Sequence, residues 1–252
     1  MISNNMLSQT AAHSVIKRLG CFSVVEYMKD LSVSPGTAST AFFMSKMGVR
    51  KRQVVATLNN QGVILQAGAM QIMAGAVEMR SNVQGAGDFF KKMVGSKVTG
   101  ESAIKPRYFG TGQVIFEPTY KYILLEDLDK WNGAMTIEDG LFLACDETVG
   151  MKVTARSNFS SAVAGGEGLF NTTLTGKGVA VLESPAPAEE LLVFDLQNDV
   201  LKIDGNMAIA WSQTLQFTVE RSSRSLIGSA ASGEGLVNVY RGTGRVLVAP
   251  VG

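Results

Sequence analysis

Short apolar runs recur along most of this chain: VVATL, VILQAG, YILLEDL, AMTIEDG, LLVFDL, VLKIDG, LQFTVER, LVNVY and RVLVAP. They are rich in Val, Ile, Leu and aromatic residues, and Asn-Gly, Asp-Gly or Gly-x-Gly separates them. This pattern predicts antiparallel strands joined by tight turns, because such turns need residues that tolerate positive φ. The segment before Arg50 reads differently. MLSQTAAHSVIKRL and FSVVEYMKDL space their apolar positions as helices do, with Gly20 ending the first. SPGTASTAFFMSKMG offers Ser34 as a cap, Pro35 at the first helical position and Gly48 at the C-terminal end; it suits a loop leading into a strand equally. The expected organisation is an N-terminal helical extension over residues 1–49, packed against a β domain over 50–252.

The runs belong to a larger period. GESAIKPRYFGTGQVIFEP (100–118), GEGLFNTTLTGKGVAVLESP (166–185) and GEGLVNVYRGTGRVLVAP (233–250) share a Gly-Glu start, a Gly-x-Gly and a closing proline. Their glutamates, Glu101, Glu167 and Glu234, lie 66 and 67 residues apart. Upstream come EMRSN, TARSN and VERSS, which bring Arg80, Arg156 and Arg221 into correspondence. Before these stand QAGAMQIMAG, EDGLFLACDE and IDGNMAIAWS, and NNQG, KWNG and QND mark a turn early in each unit. Recurrence in this order predicts three internal antiparallel β repeats, about 50–118, 119–185 and 186–250. One such unit has little apolar area of its own, so three arranged about a pseudo-threefold axis would share a core.

The repeated motifs allow more than one chemistry. Gly110/Gly112, Gly176/Gly178 and Gly242/Gly244 could cradle phosphate, but such loops need a helix N-terminus behind them. Strand pattern on both sides predicts instead that these glycines supply the positive φ of tight turns. The repeat-equivalent set is Gly100, Glu101, Gly166, Glu167, Gly233 and Glu234 with Arg80, Arg156 and Arg221. Its charges could close each unit as Arg–carboxylate forks, stand hydrated at strand ends, or surround a ligand. VQGAGDFFKKMVGSK, inserted in the first unit, gathers Phe89, Phe90, Met93 and Val94 on one side of a helix. That helix would dock on its own domain or offer an interaction loop to a partner or, peripherally, to a membrane. VRKRQ (49–53) is a weak helix-turn-helix signal, since QVVATL follows it as strand.

Composition removes several classes. Apolar residues at 46% and charged residues at 18% fit a globular chain, and 27 glycines agree with many turns. Lys and Arg number 23 against 22 Asp and Glu, so the chain supplies no global field for nucleic acid. Cys21 and Cys145 are too far apart for a CxxC pair, which argues against a disulfide framework or a cysteine zinc site. His13 is the only histidine and no G-x-S-x-G accompanies it, so nothing points to a Ser–His–Asp site or a histidine metal cage. No signal-peptide pattern or apolar run of spanning length is present, and a soluble, cytoplasmic protein without cofactors is expected.

The ordered phrases GESAIK…GTGQV, GGEGLF…GKGVAVL, SGEGLV…GTGRVLV and the earlier LQAGAMQIMAG resemble the family named for altered inheritance of mitochondria, member twenty-four, formerly a bacterial domain of unknown function. The resemblance runs from about Arg50 to Pro250. It implies a fold like the tryptophan RNA-binding attenuation protein, a β-sandwich or short double-stranded β-helix that assembles into rings. It brings no catalytic residues, and RNA binding does not follow from fold. The expectation is a non-enzymatic scaffold or interaction protein, joined as a homo-oligomer such as a trimer. The alternative is a module binding a small ligand or RNA at clefts between repeats, with Arg50, Lys51 and Arg52 as the basic residues to neutralise.

Overall fold

The computed structural model describes residues 2–80, 105–155, 170–205, 207–221 and 236–250. The N-terminal segment corrects the helical expectation. β1 (His13–Leu19) and β2 (Phe22–Tyr27) form an antiparallel hairpin that turns at Gly20, where φ is +56°. Phe22, Val24 and Val25 are fully buried, so this run is apolar on both faces and its spacing alone does not separate helix from strand. Pairing of β2 with the next strand decides it, and the β-branched valines suit that pairing. Only the third stretch is helical: α1 (Ala38–Lys46) starts after Thr37, and Gly48 lies just past its end with φ +77°.

The remainder is mainly β, in two curled sheets. β3 (Arg52–Leu65), β4 (Met70–Arg80) and β5 (Arg107–Phe116) occupy the first predicted unit. The second holds β6 (Tyr122–Asp127), β7 (Ala134–Ile137), β8 (Phe142–Asp146), β9 (Gly150–Ala155), β10 (Phe170–Thr175) and β11 (Val179–Ser184). The third holds β12 (Leu192–Asp204), β13 (Ala208–Ser212), β14 (Gln216–Arg221) and β15 (Leu236–Val248). One sheet runs β1-β2-β3-β8-β11-β6, with β5 and β4 attached through β3; the other runs β12-β15-β13-β7-β10-β9, with β14 on β15. The second unit therefore contributes strands to both sheets.

Corresponding strands pair in corresponding registers. Phe116 faces Met70, Leu182 faces Phe142 and Val248 faces Ala208, and each ladder then skips one residue, Gln71, Leu143 or Ile209. Such a bulge bends its strand and sharpens the twist. A second bend falls at Asn60, Asn132 and Asn198, which have φ of 52°, 55° and 53°. Asparagine tolerates that left-handed conformation better than other residues with a side chain. The strand is continuous through the bend in β3 and β12, whereas a 3-10 turn (Leu128–Trp131) splits β6 from β7.

The Gly-x-Gly motifs act differently from the expectation. Gly110 and Gly112 lie inside β5, and Gly242 and Gly244 inside β15; only Gly176 and Gly178 sit between separate strands. In β5 the requirement is close approach: a Cβ on Gly110 would stand 2.0 Å from the carbonyl oxygen of Ala76 on β4. The core follows the same plan. Trp131, Leu128, Met135, Ile137 and Leu174 fill the middle unit, and Phe22, Val24, Val63, Leu65 and Phe116 fill the first with its hairpin. Trp211 stacks on Phe217 at 5.5 Å and meets Tyr240 edge-on at 5.5 Å in the third. Each such side chain contributes about 1.5–3 kcal/mol on full burial.

Candidate functional site

Two strand edges stand out. On β12, the consecutive residues Leu192, Val193 and Phe194 are 47%, 54% and 37% exposed. Consecutive strand residues point to opposite faces, so neither face of this apolar stretch is covered. On β4, the neighbours Ile72 and Met73 are 48% and 42% exposed, for the same reason. Among the described residues β12 pairs only with β15, and β4 only with β5, which leaves one backbone edge of each strand unpaired. Open edges carrying exposed apolar side chains are templates for association, and monomeric proteins blunt them with charge, proline or a covering loop. Asp195, Lys202 and Glu78 supply some charge here, and Asp195 is itself held by Arg245 at 2.7 Å.

The basic cluster singled out in the sequence is neutralised internally. Arg52 meets Glu26 at 2.8 Å, Arg50 meets the same carboxylate at 3.0 Å, and Lys51 meets Asp30 at 2.7 Å. The hydrogen bond from Lys51 pulls the Asp30 carboxyl below its usual range. Arg52 also lies over the Tyr122 ring at 4.2 Å. Arg50 and Lys51 line one wall of a cavity of about 480 Å³ between β2, α1 and the start of β3, with Phe42 and Tyr120 on other walls. A polar chain runs into it: Tyr27 Oη donates to Gln53 Oε1 at 2.6 Å, and Gln53 Nε2 donates to Gln71 Oε1 at 2.7 Å. Burial pushes the Tyr27 phenol up, so it stays a neutral donor.

A second cleft of about 540 Å³ lies where the first two units meet, beside Cys21, Asn60, Phe109, Asp146 and Glu147. Cys21 donates to Asp146 at 3.5 Å; burial, reinforced by that carboxylate, pushes its thiol up to about 12. Burial does the same to Cys145. Both thiols are thereby held protonated near neutral pH, where the reactive thiolate is scarce.

Of the predicted repeat set, Arg80 is described, and it pairs through Nε with Glu78 at 2.8 Å while lying over Phe109 at 4.3 Å. That pairing is within the strand. Arg221 ends β14 opposite Leu236. Gly100, Glu101, Arg156, Gly166, Glu167, Gly233 and Glu234 lie outside the described residues, as do Phe89, Phe90 and Met93. The sequence reading missed the fork in the third unit, where Arg241 binds Glu220 through both nitrogens at 2.5 and 2.8 Å. Arg241 lies opposite Gln216 and reaches along β14 to Thr218 and Glu220, an arrangement that becomes visible only with register. The exposed edges were missed as well, because alternation in the sequence does not tell which strands lack a neighbour.

Fold and surface together define an all-β protein of curled sheets with open, apolar edges; among the described residues no helix is long and apolar enough to cross a membrane. The chain matches the family described as mitochondrial biogenesis AIM24 over residues 45–251 and belongs to that family. It is 29% identical over 195 residues to an uncharacterized protein of Streptococcus pyogenes serotype M6, covering 74% of this chain and 75% of that one. An X-ray crystal structure of a Streptococcus pyogenes protein is similar with a TM-score of 0.58 and 23% identity, over 81% of this chain and 89% of that chain. At that identity the likeness speaks for the fold alone.

Proposed function

We propose that this protein is a non-enzymatic scaffold that acts as a homo-oligomer, built from three copies of one β unit. The observation that carries this reading is the pair of uncovered apolar edges on β4 and β12. A lone chain would leave them as aggregation sites, whereas joined chains would bury them. The recurring bulges and asparagine bends support triplication of the unit. A pseudo-threefold relation between units, as in a fold like the tryptophan RNA-binding attenuation protein, is part of the same proposal. Sedimentation velocity over a dilution series tests it. The expected species is heavier than the 26.8 kDa chain at micromolar concentration, and Val193→Lys shifts it toward the monomer. A wild-type chain that sediments as a monomer throughout contradicts the reading.

A second reading, small-ligand binding, is favoured by the Tyr27–Gln53–Gln71 chain entering the cavity beside α1. RNA is the weaker ligand class there, since Arg50, Lys51 and Arg52 already face carboxylates. A thermal-shift screen of small polar compounds against wild type and Gln53→Leu tests it; a compound that stabilises both equally does not bind through this chain.

A further inference from the structure

The units of this chain are joined twice by the same antiparallel strand pairing. At the first junction Val63, Ile64 and Leu65 of β3 face Asp146, Cys145 and Ala144 of β8. At the second, Met135, Thr136 and Ile137 of β7 face Ser212, Trp211 and Ala210 of β13. The flanking backbone bonds correspond too. Gln66 donates to Leu143 at 2.8 Å and Glu138 to Ile209 at 3.1 Å; Glu147 donates to Gly62 at 2.9 Å and Gln213 to Ala134 at 3.2 Å. Each junction thus joins the later half of one unit's first strand to the early half of the next unit's second strand.

Applied once more, the rule selects Leu201–Ile203 of β12 and Ile72–Ala74 of β4. Both segments lie in strands, and among the described residues both have the corresponding edge unpaired. Among the described residues no strand pairing joins the third unit to the first, so an edge on β12 and an edge on β4 remain unpaired. We propose that β12 of one copy pairs antiparallel with β4 of a second copy, with Leu201 opposite Ala74, Lys202 opposite Met73 and Ile203 opposite Ile72. This rests on the homo-oligomer reading and deepens it by naming the surface. Asp204 N–H then donates to the carbonyl of Gln71, and Gly75 N–H to that of Val200. The contact is heterologous, head to tail, and closes into a ring when the rotation per chain permits. Exposed Ile72, Met73 and Val200 are covered in the process.

Disulfide trapping tests the register. Lys202→Cys and Met73→Cys chains are mixed under mild oxidation, with circular dichroism confirming that each retains its β signal. The expected product is a covalent dimer at twice the 26.8 kDa chain mass, absent from wild type, whose own thiols are shielded. Pairing Lys202→Cys with Ile72→Cys, one residue out of register, gives about tenfold less, since cross-linking demands close Cβ positions. An assembled protein that gives no Lys202–Met73 cross-link overturns this register and leaves the oligomer reading standing. A monomer by light scattering overturns both. A double variant that cross-links only within its own chain shows that the edges close internally, which overturns the second-copy assignment.

Discussion

Asn198 donates its backbone N–H to the hydroxyl of Thr243 at 2.9 Å, across the bend where β12 and β15 turn together. The first unit repeats the contact, Asn60 to Thr111 at 3.1 Å. The bend thus rests on a left-handed asparagine whose amide the middle residue of Gly-Thr-Gly receives.

Replacing Asn198 with alanine removes the side chain best suited to φ of 53° and keeps the amide bond. The expected loss is about 1 kcal/mol, the cost of an ordinary residue in that conformation. Thr243→Ala removes the acceptor instead and should cost about 0.5–1.5 kcal/mol. Urea midpoints for the two single variants and the double variant check both values; the double loss should fall short of the sum.

Gly110→Ala places a methyl group 2.0 Å from the Ala76 carbonyl oxygen, which β4 cannot move without losing its ladder. A destabilisation on the order of 3 kcal/mol or more is expected. Gly36, with nothing within 4 Å of its Cβ position, is the control and should tolerate alanine. Thermal midpoints of both variants measure the contrast.

The Glu220–Arg241 fork sets a pH response. Hydrogen bonds from Arg241 and Thr218 lower the Glu220 carboxyl to about 2, and the hydrogen bond from Arg245 holds the Asp195 carboxyl below its usual range. A carboxyl depressed by folding stabilises the native state above its unfolded pKa, about 4. That contribution is lost as pH falls through the folded value. Stability should therefore decline from about pH 4 downward, and Glu220→Gln should flatten part of the decline. Both groups are largely exposed, so the effect is small and should shrink further at high salt.

Cys21 and Cys145, both raised to about 12, should label slowly in the native protein near neutral pH. The thiolate fraction is on the order of a thousandfold below that of a free cysteine. Labelling rates with and without denaturant test this; equal rates would contradict the burial of Cys145.

Much of the fold is legible in the sequence. The glycine and asparagine punctuation marks positions that need special backbone geometry, and those positions are the bends of β3, β5, β12 and β15. Two readings fail for one physical reason. FSVVEY shows helical spacing because apolar residues occupy both faces of the buried β2, HSVIKRL is its half-exposed edge partner, and Gly110 and Gly112 look like a turn although they lie within one continuous strand. In each case the neighbouring strand decides, and a neighbour remote in sequence leaves no local signal. The unpaired edges escape the sequence similarly: Leu192–Phe194 has the composition of a covered strand.

Hydrogen exchange as a function of protein concentration tests the account most directly, because it reads the edges themselves. Peptides spanning 70–75 and 200–205 should be protected at high concentration and exchange rapidly on dilution. Those holding the Gln66, Glu138, Glu147 and Gln213 amides should stay protected throughout. Rapid exchange of both edge peptides at every concentration would contradict the claim that these strands join one copy to the next.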